Sequence, residues 1–246
     1  TLHMALTGIR DLSTMETPPE ERLAVRTHVG PYDQTLVRQA ILRELERNGQ
    51  VFFIHNRIES IQAIVQVLGD LVPEARFGCA HGRMAEDELE RTMTDFARGT
   101  IDVLVATTIV QLGIDMPNTT TLIVNQAERL GLTQLYQLRG RVGRGPNQAY
   151  AYFFHTRNRE LSPQARRRLR TIFEANELGA GLEIALRDLE IRGAGSLLGT
   201  RQSGHIAAVG FELYCAMLAE EVERVRPDLV TPETRTVGEE APTLDL

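Results

Sequence analysis

A chain of 246 residues, 42% hydrophobic and 24% charged, has the make-up of an ordinary globular protein with room for one full α/β domain and a smaller appendage. Its net charge of −6 argues against a broadly basic nucleic-acid binder. No apolar run approaches the roughly 20 residues needed to cross a bilayer and no charged-then-apolar leader opens the chain, so a cytoplasmic protein without a membrane partner is expected. Cys79 and Cys215 stand apart, with neither C-x-x-C nor histidine at ligand spacing. They are expected to be small buried side chains, with no metal and no disulfide.

Residues 1–22 end in a proline-containing stretch, Thr17-Pro18-Pro19, that blocks helix and ladder alike and reads as a connector. Leu23 to Val29 alternates as a strand. A helix follows near Tyr32 to Arg47, with Leu36, Ala40 and Ile41 turned inward, and then an apolar strand from Val51 to Ile54. Ile61, Ile64, Val65 and Leu68 recur at helical spacing. A strand at Arg76–Ala80, a helix at Glu86–Ala97 and strands at Ile101–Ala106, Thr121–Val124 and Ala149–Phe154 continue the series. Strands alternating with helices imply a parallel sheet covered on both faces, here over residues 23–156.

Beyond Phe154 the pattern changes. Pro163 to Glu174 reads as a basic helix with Leu169, Ile172 and Phe173 on its apolar side, and glycines then punctuate short elements. A further helix is expected at Phe211–Val225, so residues 157–226 form a second, smaller module, with 227–246 a polar linker or tail. Charge is unevenly placed: residues 157–170 hold six arginines against one glutamate, whereas residues 219–246 hold eight acids against three arginines. The middle of the chain can meet DNA phosphates and the tail cannot.

Ligands of open parallel sheets bind beyond the carboxyl ends of the strands. Three polar clusters fall there: His55-Asn56-Arg57, His81-Gly82-Arg83-Met84 and Thr107-Thr108. A single loop histidine most often caps a helix or satisfies a carbonyl, but three clusters at three strand ends point to a shared site.

In the run Gln134 to Gly145, Gln137, Arg141 and Arg144 fall at i, i+4 and i+7, one face of a helix if the stretch is helical. Two guanidinium groups one turn apart repel, and Gly140 and Gly143 would each cost a helix about 1 kcal/mol against alanine, so the run calls for an anion. Its residues match Q-x-x-G-R-x-G-R and resemble the last motif of superfamily 2 helicases. That resemblance implies that Arg141 and Arg144, with Gln137, reach the γ-phosphate of ATP. Residues 101–117, IDVLVATTIVQLGIDMP, resemble the motif of the same superfamily that couples ATP to nucleic acid. Gly113 and Asp115 are thereby implied in nucleotide binding and Thr107 and Thr108 in DNA contact, with Asn56, Arg57, His81 and Gly82 beside them. The superfamily usually has glutamate where Gln111 stands; glutamine keeps hydrogen bonding without the charge.

All 27 basic residues are arginine. No phosphate-binding loop G-x-x-x-x-G-K-[ST] can therefore exist in this chain. ATP with Mg²⁺ would be bound mainly by a first motor lobe, in cis but outside this chain.

Residues 186–204, LRDLEIRGAGSLLGTRQSG, resemble the translocation motif shared by RecG-type fork helicases and the bacterial transcription-repair coupling factors. In those families a helical hairpin and loop transmit ATP-driven lobe closure to duplex DNA, which implies coupling roles for Arg192 and Gln202. The stretches Val209–Tyr214 and Leu2–Ser13 resemble the coupling factors rather than RecG. The resemblance implies a RecA-like second lobe of P-loop-NTPase type followed by a small, mostly helical translocation module. The activity implied is ATP-dependent movement on double-stranded DNA, with RNA polymerase and excision-repair proteins met through domains absent from this chain. Two alternatives are a RecG-like fork-reversal fragment and a non-catalytic DNA-binding module. A dinucleotide-binding loop at Gly193–Gly199 fails on context, because charged residues interrupt the strand it would need.

Overall fold

The computed structural model describes residues 23–108, 118–143, 147–158, 160–175 and 180–192, and Arg224. Six strands form one wholly parallel sheet: β1 (Arg26–Pro31), β2 (Gln50–His55), β3 (Phe77–Ala80), β4 (Val103–Ala106), β5 (Thr119–Asn125) and β6 (Tyr150–His155), in the order β1-β6-β5-β2-β4-β3. The helices are α1 (Gln34–Glu46), α2 (Ile58–Leu71), α3 (Glu86–Ala97), α4 (Leu132–Arg139), α5 (Pro163–Glu174) and α6 (Gly181–Arg192), with a 3₁₀ turn at Ala127–Arg129 before α4. No described helix is long and apolar enough to cross a membrane.

The central strands are buried along nearly their whole length because both faces are covered: every residue of β2 and β4 is buried, as is β5 up to Val124. On one face Val51, Phe53, Val103, Val105, Ile123 and Phe154 pack with Val37, Ala40 and Ile41 of α1 and Ile61 and Leu68 of α2. The alternating residues Phe52, Ile54, Leu104, Leu122, Val124 and Phe153 point the other way and are equally buried. Each such side chain contributes about 1.5–3 kcal/mol of transfer free energy.

The helix starts follow their caps. Asp33 accepts from the amides of Thr35 (2.8 Å) and Leu36 (3.2 Å) at the head of α1, and Ser162 caps α5 ahead of Pro163, whose missing N–H costs nothing at that position.

The expected strand at Leu23–Val29 is displaced to Arg26–Pro31. β1 is an edge strand paired only with β6, Leu23 is exposed, and Pro31 is tolerated because an edge leaves one row of amides unpaired. Cys79 is half-buried rather than buried, since β3 forms the opposite edge, and that partial burial raises its thiol pKa.

Two compact units divide the chain. One is Thr17–Ile184, which holds the sheet and α1 to α5; the other joins Thr1–Glu16 to Ala185–Leu246. The 1–22 connector, the helix at Phe211–Val225 apart from Arg224, and the 227–246 tail lie outside the described residues.

Candidate nucleic-acid and nucleotide interface

Because every strand runs the same way, the loops after β3, β4, β2 and β5 line up along one edge of the sheet in that order. Thr107 continues β4 and donates its amide to the Ala80 carbonyl at 3.2 Å, which sets His81 beside it. The side-chain oxygen of Asn56 accepts from the Thr108 hydroxyl at 2.8 Å and the Thr108 amide at 3.4 Å, joining the loops after β2 and β4. Arg57 is exposed, and no partner for its side chain is found among the described residues. Arg83 reaches Glu59 at 3.5 Å, a fully solvated pair worth little. Asn56, Arg57, His81, Gly82 and Thr108 are thus brought together with an accessible surface, whereas the Thr107 side chain is buried and its hydroxyl meets no described partner.

Beneath this surface lies a strut. His55, almost fully buried, is held through both ring nitrogens: Asn125 Nδ2 donates to Nδ1 at 3.2 Å, so Nε2–H donates to Ser60 Oγ at 2.8 Å. Burial, and then the nearby Arg57 and Arg129, hold its pKa below the ordinary histidine value. Neutral His55 ties β2 to β5 and to the first turn of α2.

The arginine motif lies elsewhere. Helix α4 stops at Arg139, and Gly140 to Gly143 form a turn in which the Arg141 amide bonds the Leu138 carbonyl at 3.1 Å. Gln137 and Arg141 therefore do not share a continuous helix face. The helix is capped at Gly140, and beyond it Gly143 adopts φ +71°, a left-handed conformation that suits glycine and keeps the helix from resuming. A Cβ on Gly143 would stand 2.7 Å from Ala149 Cβ and 3.5 Å from Val25 Cγ2, residues just ahead of β6 and β1. The turn carrying Arg141 accordingly lies at the amino edge of the sheet, and the Asn56–Thr108 surface at the carboxyl edge. Gly113, Asp115, Gln111, Arg144 and Gln202 lie outside the described residues, and of Arg192 only the backbone, within α6, is described.

Arg139 and Gln126 escaped the sequence reading. Arg139, only 6% exposed, donates from Nη1 to the Ile172 carbonyl at 3.0 Å and fastens α5 to α4; desolvation lowers its pKa, partly offset by Tyr136. Arg141, two residues on, is half-exposed and meets no partner among the described residues. Gln126, after β5, takes a left-handed conformation (φ 56°) at the start of the 3₁₀ turn that carries Arg129, whose charge helps lower the pKa of His55. Positive φ in a glutamine has no sequence signature.

Residues 34–146 match the helicase conserved C-terminal domain. The chain is 53% identical over 233 residues to the transcription-repair-coupling factor of Bacillus subtilis (strain 168), covering 95% of this chain and 20% of that protein. It is 53% identical over 226 residues to that of Mycobacterium tuberculosis (strain CDC 1551 / Oshkosh), covering 92% of this chain and 18% of that protein. The chain thus spans about a fifth of the length of these curated relatives. Among solved structures, that of RecG bound to a three-way DNA junction matches with a TM-score of 0.67 and 31% identity, over 85% of this chain and 26% of that one. Through its helicase conserved C-terminal domain, set in a stretch about half identical to bacterial transcription-repair-coupling factors, the chain belongs to the superfamily 2 helicases.

Proposed function

We propose that this chain is the second motor lobe (residues 23–156) and the translocation module (157–226) of an ATP-dependent double-stranded DNA translocase that displaces stalled RNA polymerase and couples transcription to excision repair. The observation carrying this reading is the contrast between two arginines of one short run. Arg139 is buried and committed to the Ile172 carbonyl, while Arg141 stands half-exposed on a glycine-shaped turn without a described partner. An arginine so placed is free for an incoming phosphate. Identity of about 50% to coupling factors over nearly the whole chain supports the biological assignment.

In this scheme a first lobe, in cis, binds ATP and Mg²⁺. Arg141 and Arg144, with Gln137, meet the transferring phosphoryl group, and Gly113 and Asp115 shape the adjoining turn. Asn56, Arg57, His81, Gly82, Thr107 and Thr108 serve the DNA side, Thr107 through backbone position because its side chain is buried. Arg192 and Gln202 couple lobe movement to the duplex. RNA polymerase and repair proteins are engaged by other domains.

The test uses a full-length coupling factor carrying this segment. Arg192→Ala or Gln202→Ala should keep ATP hydrolysis but fail to displace a triplex strand or a stalled polymerase. Normal displacement in both variants, with normal melting, would overturn the coupling role. The likeness to RecG favours a second reading, fork reversal, which the same protein would reveal by regressing a model fork without polymerase.

A further inference from the structure

A buried polar chain at the amino edge of the sheet is used by neither motif set. Glu44 of α1 is fully buried, a position a carboxylate tolerates only when its oxygens are satisfied. It accepts from Arg47 Nε at 2.8 Å and Nη2 at 2.5 Å, from Thr120 Oγ1 at 2.7 Å and from the Thr121 hydroxyl. The third guanidinium nitrogen of Arg47, Nη1, donates to the Gln148 carbonyl at 2.9 Å. Gln148 Nε2 in turn donates to the carbonyls of Ala24 at 2.7 Å and Ala149 at 3.0 Å. Gly49 leaves the room required, since a Cβ there would lie 2.2 Å from Glu44 Oε2.

This chain of contacts ends on the arginine turn. Gly143 packs directly on Ala149, so the residue that Gln148 fixes is also the floor beneath Gly143, two positions from Arg141. A buried ion pair is a poor means of adding stability, because well-packed apolar groups often serve as well. An apolar pair could not, however, grip the Gln148 carbonyl, and only a fork of three nitrogens reaches Glu44 and Gln148 together.

We propose that Glu44 and Arg47 are positioning residues for Arg141: through Gln148 and Ala149 they hold the turn that presents the Arg141 guanidinium to phosphate. The proposal rests on the phosphate role of Arg141 given above. Misplacing a catalytic group by about an ångström can cost on the order of a hundredfold in rate, so the effect should fall on kcat.

The experiment is ATP hydrolysis by the full-length coupling factor carrying this segment, with DNA present and thermal melting in parallel. Arg47→Ala should lower kcat by about tenfold or more while KM for ATP moves less than about twofold. Arg47→Lys, which keeps a cation beside Glu44 but cannot span to Gln148, should fall between the two. If Arg47 acts through Arg141, the Arg47→Ala/Arg141→Ala double variant should be no slower than Arg141→Ala alone. Additive losses, or an unchanged kcat in Arg47→Ala, overturn the proposal. Should Arg47→Ala fail to fold, Arg47→Lys carries the same cycle. An Arg141→Ala variant with unchanged kcat would sink the phosphate role itself; a slowed Arg141→Ala beside an unaffected Arg47→Ala would sink only the positioning.

Discussion

Asn56 and Thr108, 52 residues apart in sequence, are joined by a 2.8 Å hydrogen bond from the Thr108 hydroxyl to the Asn56 side-chain oxygen. The bond leaves the Asn56 amide free to donate, and it fixes two loops that the sheet order brings side by side. Asn56→Ala in the full-length protein should weaken duplex binding several-fold with little change in melting. Asn56→Asp keeps the acceptor but replaces a donor with a negative charge, and should bind more weakly than Asn56→Ala, most visibly at low salt. Equal duplex affinities for Asn56→Asp and the unaltered protein would remove Asn56 from the DNA surface.

His55 makes stability pH-dependent. Its folded pKa is depressed, chiefly by burial, below the ordinary value of 6.5. The unfolded chain therefore takes up a proton first as pH falls, and the contribution, fully present above that value, is lost below it. A protonated ring also could not accept from Asn125. Between pH of about 7.5 and 5.5 the melting temperature should fall more steeply for the unaltered chain than for His55→Gln. Parallel curves would contradict this.

Arg139 and Arg141 should separate cleanly in a urea titration. Arg139→Met strands the Ile172 carbonyl and should cost about 1.5–3 kcal/mol of stability, the range for a hydrogen bond to a charged group. Arg141→Ala, on a half-exposed turn, should stay within about 0.5 kcal/mol. The reverse order would reassign the two roles.

Much of this fold is legible in the sequence because β2, β4 and β5 hold the unbroken apolar runs Val51–Ile54, Val103–Ala106 and Leu122–Val124, and Asp33, Ser162 and Pro163 mark helix starts. The strand order is not. β1 pairs with β6 across more than a hundred residues, and neither strand carries a signal naming the other. The polar clusters after β2, β3 and β4 were readable as a set because parallel strands present their ends together. The separation of those clusters from Arg141 was not, since it depends on where α4 stops. Gly140 could have foretold that stop, but glycine also belongs to the phosphate motif, and the two meanings share one letter. Arg139 was hidden for a similar reason: in a run of arginines nothing local distinguishes the buried one.

The chain alone should not hydrolyse ATP at a meaningful rate, with or without duplex DNA, although the sheet should be folded, because it contains no lysine for a phosphate-binding loop. Steady-state turnover of the purified chain checks this, and robust hydrolysis would mean that the nucleotide is held by residues of this segment.

The most direct measurement is single-turnover ATP hydrolysis by a full-length coupling factor bearing Arg141→Ala, with nucleotide affinity measured on the same preparation. An arginine that meets charge developing on the transferred phosphoryl group is worth on the order of a thousandfold in rate, and Arg144→Ala should behave alike. The expected result is therefore a collapse of the chemical step with ATP affinity nearly unchanged. Loss of affinity with an unchanged chemical step would make Arg141 a ground-state contact and contradict its role as a catalytic arginine.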